Sequence, residues 1–479
     1  MSQENSTISL KDLSFIDQIK TMAVIGPSEK RNFFFLRSHQ QSFKGKLYAV
    51  HKKIKSIPGF DDGTQGKIYT SVKEIPEDVD FVFIAVPASK ILGVIDDCVE
   101  KGVKLASIFT AEFSDSGTRE GIELERELVR RAKNKLRILG PNGLGLFYPK
   151  LGIAWRNFFP KQAGNVGFVA QSGGICNIVI YTGMEIGINF SKVFSMGNGA
   201  DLDAVDLINF LNNDSDTEII LCYIEGIKKD RGKAFKQLLN TIKKPLVILK
   251  GGKTNTGSMA VKTHTASLSG NQIIWKSIFK QYNLIEVDSL EELINAALLI
   301  DFYGIRSYEN VAVLSISGGY GVIMVDLIEK YGLKIKPFKE EIEERIKKKL
   351  LMRGTSPKNP IDISAQLFQS ESVKEIVDIA LSDENIDCLV MDLPSYYFDQ
   401  KYSFRKDSDF EKNLIDTMCL GHVHGKSLIP IIQETHCPDM AIRIRHILRE
   451  KKVPVFKQPL EVIPLLAKIT NYYKTLKEK

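Results

Sequence analysis

The sequence predicts an α/β protein built from doubly wound parallel sheets, and three observations support this. Short apolar runs alternate with helical stretches between residues 21 and 140. A segment that begins at residue 166 has a second copy 145 positions later. The length of 479 residues suits about three domains, because one core rarely serves more than roughly 250–300 residues. Such alternation is typical of parallel sheets covered by helices on both faces.

The first predicted domain, residues 1–155, contains five apolar runs. Each run lacks the polar alternation of a half-exposed strand, so we expect strands that are buried on both faces. In chain order they are Met22–Gly26, Lys46–Val50, Phe81–Val86, Leu105–Thr110 and Arg137–Leu139. The irregular stretch from Leu151 to Gly164, which contains Pro160, indicates the boundary to the next domain.

The second and third predicted domains, residues 156–306 and 307–479, resemble two copies of one unit. Val166–Gly174 aligns with Val311–Gly319, and Gly187 falls on Gly332 in the same register. Each copy begins with a strand, a Ser-Gly-Gly turn and a helix of about four turns, which is how a βαβ unit begins. The further predicted strands of the second domain are Lys192–Phe194, Ile219–Ile224, Leu246–Lys250 and Tyr282–Val287. Both Ser-Gly-Gly turns should lie at the carboxyl edge of a sheet, where open α/β folds bind ligands.

The composition argues against nucleic-acid and membrane partners. The net charge of +7 is spread over alternating Lys and Glu residues and forms no basic block. No stretch approaches 18 uncharged apolar residues, and the first residues lack the pattern of a secretion signal, so a cytoplasmic protein is expected.

The cysteines and histidines predict no metal site. Six cysteines are scattered singly, which favours reduced structural thiols. His422 and His424 would bind a metal only if further ligands converged on them. Four other histidines are expected at the surface: His39, His51, His436 and His446.

Two glycine-containing turns are candidate anion sites. Gly26-Pro27-Ser28 follows the first strand, and Gln171-Ser172-Gly173-Gly174 follows the first strand of the second domain. Backbone N–H groups of such turns can bind phosphate at the start of the next helix, and Ser172 can also cap that helix. The alternative at both turns is a purely structural role without a ligand. This alternative is stronger for a third turn, the repeat-related Ser317-Gly318-Gly319.

Two residues are candidates for the chemistry itself. Glu225 follows the apolar run Ile219–Ile224, which would place a carboxylate at the end of a central strand. His264 lies in Lys262–Gly270, a run of small residues that we predict to be an accessible loop before a helix near Asn271. A solvated glutamate and an inert loop histidine are the alternatives.

Six motifs together resemble the nucleoside-diphosphate-forming acyl-CoA synthetases, relatives of succinyl-CoA synthetase. They occur in family order and span roughly residues 15–470: Ile138–Gly145, Val169–Gly174, Met196–Asp201, Tyr223–Gly226, Thr263–Gly270 and Asn359–Asp362. The resemblance implies a Rossmann-like CoA-binding domain followed by two flavodoxin-like ligase domains.

The resemblance also implies roles for individual residues. His264 would carry phosphate, and Glu225 would hydrogen-bond its imidazole. Phosphate would bind to Gln171, Ser172, Gly173 and Gly174. CoA would bind to Gly26, Pro27, Ser28, Val86, Pro87 and Asn142.

The implied reaction joins a carboxylic acid to CoA through an acyl phosphate and a phosphohistidine. A neutral imidazole can attack phosphorus while a carboxylate holds its other N–H group, so the chemistry suits this residue pair. The chain has no G-x-x-x-x-G-K-[ST] motif, and ATP/ADP or GTP/GDP with Mg²⁺ is expected on an ATP-grasp β subunit, in an α2β2 assembly.

The first turn departs from the family pattern. Pro27 removes one N–H donor and Glu29 adds a negative charge, so CoA binding is expected to differ from that of relatives. This drift favours, as the main alternative, a non-catalytic scaffold that senses CoA or a nucleotide. A dinucleotide-dependent oxidoreductase is a third hypothesis. It is disfavoured because no acidic residue that could bind the ribose follows the second strand.

Overall fold

A computed structural model describes residues 13–61, 66–228, 230–265, 272–401 and 406–478, without the side chains of residues 262–265. The chain divides into two compact units, Met1–Leu290 and Glu291–Lys479. The first unit contains two six-stranded sheets and the second a four-stranded sheet. The predicted α/β class is therefore confirmed. The domain limits at residues 155 and 306 remain predictions.

The first sheet is parallel throughout and has the strand order β3-β2-β1-β4-β5-β6, which is the order of Rossmann folds. Met22 and Val24 face one core while Ala23 and Ile25 face another, so both faces of β1 are buried. This is why the run carries no polar alternation. The strands are β1 (Thr21–Ile25), β2 (Lys46–Val50), β3 (Gly66–Tyr69), β4 (Phe81–Ile84), β5 (Leu105–Ile108) and β6 (Arg137–Leu139).

The second sheet has the order β12-β11-β10-β8-β9-β7. Its strands β8 to β12 are parallel and follow the flavodoxin-like order, whereas β7 runs antiparallel to β9. The strands are β7 (Gly145–Phe147), β8 (Val166–Ala170), β9 (Phe190–Ser195), β10 (Ile219–Ile224), β11 (Leu246–Lys250) and β12 (Ile285–Val287). The last strand is shorter than predicted, because Tyr282 ends a helix and Asn283 has a positive φ of 48°.

The third sheet has the parallel order β14-β13-β15-β16, and it preserves the central part of the flavodoxin-like order. Its strands are β13 (Val311–Ser315), β14 (Ile361–Asp362), β15 (Cys388–Asp392) and β16 (Ser427–Ile431). The repeat predicted at residues 166 and 311 thus supplies corresponding strands, β8 and β13, each followed by a Ser-Gly-Gly turn and a helix.

Helices connect the strands. In the first unit they are α1 (Phe34–Gln40), α2 (Ile91–Lys101), α3 (Arg119–Ala132), α4 (Gly173–Ile186), α5 (Ala204–Asn213), α6 (Gly232–Thr241), α7 (Asn255–Thr265) and α8 (Gln272–Tyr282). From the unit boundary onward they are α9 (Leu290–Tyr303), α10 (Gly318–Lys330), α11 (Glu340–Lys349), α12 (Ser370–Leu381), α13 (Phe410–Met418), α14 (Leu420–Val423), α15 (Pro438–Glu450) and α16 (Ile463–Glu478). No helix in the described ranges has the length and apolar character needed to cross a membrane.

The surface assignment of His39 is wrong. Its side chain is 1% exposed on the inner face of α1, where its ring lies 5.6 Å from that of Phe83. Nδ1 accepts the N–H group of Ala154 at 3.3 Å, and burial lowers the pKa of the imidazole to about 3. The ring is therefore a neutral core residue. His436 and His446 are exposed, as predicted.

The six cysteines all lie in the described residues and form no disulfide. Cys98, Cys176, Cys222 and Cys388 are buried, and burial raises the pKa of each thiol. They are unreactive structural thiols, as predicted.

Candidate functional site

The turn after β8 forms a helix N-terminus that faces a cavity. Ser172 is the N-cap of α4, and its Oγ accepts the N–H group of Ile175 at 3.4 Å. A Cβ on Gly173 would lie 2.9 Å from the side chain of Leu144, so only glycine fits there without displacement. The turn therefore presents backbone N–H groups and the positive end of the helix dipole, which together favour an anion.

The cavity at this turn has a volume of about 280 Å³. It brings the four predicted phosphate-binding residues together with Asn142, which we had assigned to CoA. Residues that we had not assigned complete its wall: Phe109, Gly143, Leu144, Gly197 and Asn198. All of these except Phe109 lie inside the motifs Ile138–Gly145 and Met196–Asp201. Membership of these motifs is the sequence feature that could have identified them.

Glu225 lies where predicted, directly after β10. Its side chain is 4% exposed, and Oε1 accepts the Tyr223 hydroxyl at 3.1 Å. The side-chain oxygen of Gln171 accepts the N–H groups of Glu225 and, at 3.4 Å, of Gly226. Gln171 thus belongs both to the cavity wall and to the support of Glu225.

The sequence reasoning missed Lys250, the last residue of β11. Its side chain is 4% exposed, and its amine donates to the main-chain oxygen of Glu225 at 2.7 Å. Burial lowers the pKa of this amine to about 8. The sequence feature that could have identified Lys250 is its charge at the end of the apolar run Leu246–Lys250, the next predicted strand after Ile219–Ile224.

The backbone of His264 lies in the last turn of α7, whereas its side chain is outside the described residues. The predicted loop from Lys262 to Gly270 is wrong for residues 262–265, which are helical. The hydroxyl of Thr254 accepts the N–H group of Gly257 at 3.0 Å and caps this helix, so the small residues that follow continue it. Residues 266–271 lie outside the described ranges.

The turn after β1, Gly26-Pro27-Ser28, faces a separate cavity of about 310 Å³. All the residues of the predicted CoA site except Asn142 line this cavity. Gly26 has a φ of +83°, and a Cβ there would lie 2.6 Å from Cγ1 of Val86. The rest of the wall was not predicted and comprises Val24, Arg31, Phe34, Phe35, Ala85, Phe109 and Thr110. Aromatic rings beside an arginine suit a ligand with a flat ring and an anionic group.

The repeat-related turn in the second unit has different surroundings. Ser317 precedes α10 without a side-chain cap, and a Cβ on Gly318 would lie 2.7 Å from a carboxylate oxygen of Asp362. Asp392 is 1% exposed, and burial raises the pKa of its carboxyl group to about 6. The missing side-chain cap and the approach of Asp362 to Gly318 set this turn apart from the turn at Ser172.

Two groups of three side chains in the described residues have metal-ligand spacing. Asp17, Asp214 and Asp216 surround the ammonium of Lys192, which lies 2.8 Å from Asp214 and therefore supplies the cation itself. Asp399, His436 and Cys437 form the second group, in which the Cys437 thiol donates to Asp399 at 3.5 Å.

Two protein families match consecutive parts of the chain. Residues 20–149 match the family described as CoA binding domain, and residues 163–300 match the succinyl-CoA ligase like flavodoxin domain. The first match contains the cavity at Gly26. The second contains Gln171, Glu225 and His264.

Individual relatives extend the likeness over most of the chain. The α subunit of acetate–CoA ligase (ADP-forming) II from Pyrococcus furiosus is 33% identical over 79% of this chain and 81% of its own length. Acetate–CoA ligase (ADP-forming) I from Archaeoglobus fulgidus is 32% identical over 95% of this chain. The chain spans 63% of the length of that relative.

A solved structure agrees with the sequence relatives. It is the dinucleotide-forming acetyl-coenzyme A synthetase 1 from Candidatus Korarchaeum cryptofilum, in complex with phosphate and ADP. The TM-score is 0.81 at 28% identity, and the match covers 97% of each chain.

Proposed function

Because the chain belongs to the family of ADP-forming acetate–CoA ligases, we propose that it is the α-type component of an acyl-CoA synthetase. The enzyme interconverts acyl-CoA, a nucleoside diphosphate and phosphate with a carboxylic acid, CoA and a nucleoside triphosphate. The observation that carries the proposal is the contact of Gln171 with Glu225, because it joins a phosphate-binding turn to a buried carboxylate. A scaffold that only senses CoA would not need this arrangement.

Acyl transfer is the first chemical step of the proposal. Phosphate binds at Gln171, Ser172, Gly173 and Gly174, and one of its oxygens attacks the thioester carbon of acyl-CoA. The C–S bond breaks, CoA leaves as the thiolate and takes up a proton, and acyl phosphate remains. The N-terminus of α4 stabilises the negative charge of the phosphoryl oxygens.

Phosphoryl transfer to His264 is the second step. One imidazole nitrogen attacks phosphorus, the bond to the acyl oxygen breaks, and the carboxylate leaves. The carboxylate of Glu225 accepts the other ring N–H group, which selects the attacking tautomer and offsets the positive charge that develops on the ring. A nucleoside diphosphate then takes the phosphoryl group from His264, and the triphosphate forms.

We assign CoA to the cavity at Gly26, Pro27, Ser28, Val86 and Pro87. Asn142 lies at the phosphate turn, where it can contact the acyl end of the same substrate. Phe109 lines both cavities, so a thioester could reach from one to the other. ATP/ADP or GTP/GDP and Mg²⁺ are assigned to an ATP-grasp β partner, with α2β2 as the proposed assembly.

Transfer of labelled phosphate tests the proposal. The chain is incubated with acetyl-CoA and ³²P-phosphate, and separately with an ATP-grasp partner, Mg²⁺ and γ-labelled ATP. We expect acid-labile, alkali-stable label on the chain that is lost in His264→Ala and kept in His446→Ala, whose side chain is exposed. Absence of label on the wild-type chain with an active partner would overturn the assignment of His264 and favour the scaffold.

A further inference from the structure

Lys250 lies beside Glu225 at the carboxyl edge of the second sheet. It pairs with Ile224 in the register of β10 and β11, so the chain continues into Glu225 next to it. We infer that Lys250 is a positioning residue that holds the main chain of Glu225 in place for phosphoryl transfer, an inference that rests on the function proposed above.

The amine of Lys250 is committed to main-chain acceptors. Nζ donates to the oxygen of Glu225 at 2.7 Å and also to the oxygen of Gly251. The ring of Trp275, whose centroid lies 5.4 Å from Nζ, adds a cation–π contact. The two hydrogen bonds of Lys250 thus connect Glu225, which follows β10, with Gly251, which follows β11.

A buried ammonium is retained only where acceptors replace its water shell. Around Lys250 these acceptors are the two carbonyl oxygens, while the charge of Glu225 favours the ammonium and that of Lys253 opposes it. Lys253 is itself paired with Glu286 and Asp288, each at 2.7 Å. An apolar side chain at residue 250 would leave the buried oxygen of Glu225 without this donor.

Glu225 is held from the opposite side as well. Gln171 accepts its N–H group, and Tyr223 donates to its carboxylate at 3.1 Å. Lys250 adds a third support by donating to the main-chain oxygen. A carboxylate that is oriented before the reaction needs no rearrangement in the transition state, so loss of one support should slow the transfer step.

Lys244 is a matched control at the other end of the same strand. It precedes β11, is half-buried, and donates to the main-chain oxygens of Leu211, at 2.8 Å, and Asp214. It therefore has the same residue type and the same kind of acceptors as Lys250. A purely structural contribution should affect both lysines alike.

The test compares Lys250→Met and Lys244→Met for thermal stability and for the rate at which His264 acquires label. We expect Lys250→Met to lower the labelling rate about 10- to 100-fold, the effect of a small displacement of a reacting group. Lys244→Met should lower the melting temperature by a similar amount and keep the rate within about 3-fold. Lys250→Arg, which keeps the charge and the donors, should restore part of the rate.

The double variant with Glu225→Gln separates positioning from structure. If Lys250 acts through Glu225, Lys250→Met should add little to the loss already caused by Glu225→Gln. Equal fold-losses in both backgrounds, or a wild-type rate in Lys250→Met, would overturn the inference. Lys250→Gln, whose amide is too short to reach the same acceptors, takes the place of Lys250→Met if that variant does not fold. A wild-type chain without label would instead reject the proposed function.

Discussion

The side-chain oxygen of Gln171 accepts the main-chain N–H group of Glu225, although 54 positions separate the two residues. The contact crosses from the end of β8 to the end of β10, which are neighbouring strands. It joins the turn after β8, where we propose that phosphate binds, to the segment that carries the buried carboxylate of Glu225.

Replacement of Gln171 should separate two effects. Gln171→Met removes the acceptor for Glu225 and Gly226, and we expect phosphoryl transfer to fall about 10- to 100-fold, as for a misplaced catalytic group. Gln171→Glu keeps an acceptor but adds a negative charge beside phosphate, so it should mainly raise the KM for phosphate. Initial rates measured against phosphate concentration distinguish the two. The same KM for phosphate in the wild type, Gln171→Met and Gln171→Glu would contradict the placement of phosphate at this turn.

Ser172→Ala should weaken both the helix and the binding of phosphate. Loss of an N-cap costs about 1 kcal/mol of unfolding free energy. Thr118→Ala is the matched control, because Thr118 caps α3 in the same way, with its Oγ1 accepting the N–H group of Gly121 at 3.1 Å. Denaturant melts should show similar losses for the two variants, and only Ser172→Ala should bind phosphate more weakly in calorimetry. Equal phosphate affinities would remove Ser172 from the site.

Gly26→Ala should abolish CoA binding, and the backbone strain of the substitution should not by itself account for this loss. Both Gly26 and Gly102 have positive φ, so alanine at either costs about 1–2 kcal/mol. A Cβ at Gly102 meets nothing within 4 Å, whereas one at Gly26 meets Val86 at 2.6 Å and the oxygen of Ala85 at 2.8 Å. Equilibrium binding of CoA should be lost in Gly26→Ala and retained in Gly102→Ala. Retained binding in both would place CoA elsewhere.

His39 should make the first unit sensitive to acid. Its pKa is about 3 in the folded chain, against 6.5 for an unperturbed group, so the unfolded chain binds an extra proton between these values. Its contribution to stability is complete above pH 6.5 and is lost as the pH falls toward 3, at up to about 1.4 kcal/mol per pH unit.

His39→Asn tests this effect, since the Asn oxygen can still accept the N–H group of Ala154 while the side chain no longer titrates. The variant should be less stable than wild type at pH 7.5, because it buries less apolar area, and the difference should shrink as the pH falls to 4.5. Both tryptophans, Trp155 and Trp275, belong to the first unit and report its unfolding by fluorescence. A difference that stays constant between pH 7.5 and 4.5 would refute the pKa argument.

Much of the architecture followed from local patterns in the sequence. A continuous apolar run such as Val166–Ala170 predicts a doubly buried strand, and a Ser-Gly-Gly turn after it predicts a helix start. Short strands without such a run were not predicted, among them Gly66–Tyr69 and Gly145–Phe147. The position of Glu225 at a strand end was also evident from the chain itself.

The tertiary structure alone decided which of these residues meet. The order of the strands brings the ends of β8, β10 and β11 side by side, and so joins Gln171, Glu225 and Lys250. The folded chain also buries His39, which the sequence analysis placed at the surface, against Phe83 of β4. The physical reason is that backbone propensity and hydrophobic period act over a few residues, whereas side-chain contacts between distant strands exist only once the sheet has assembled.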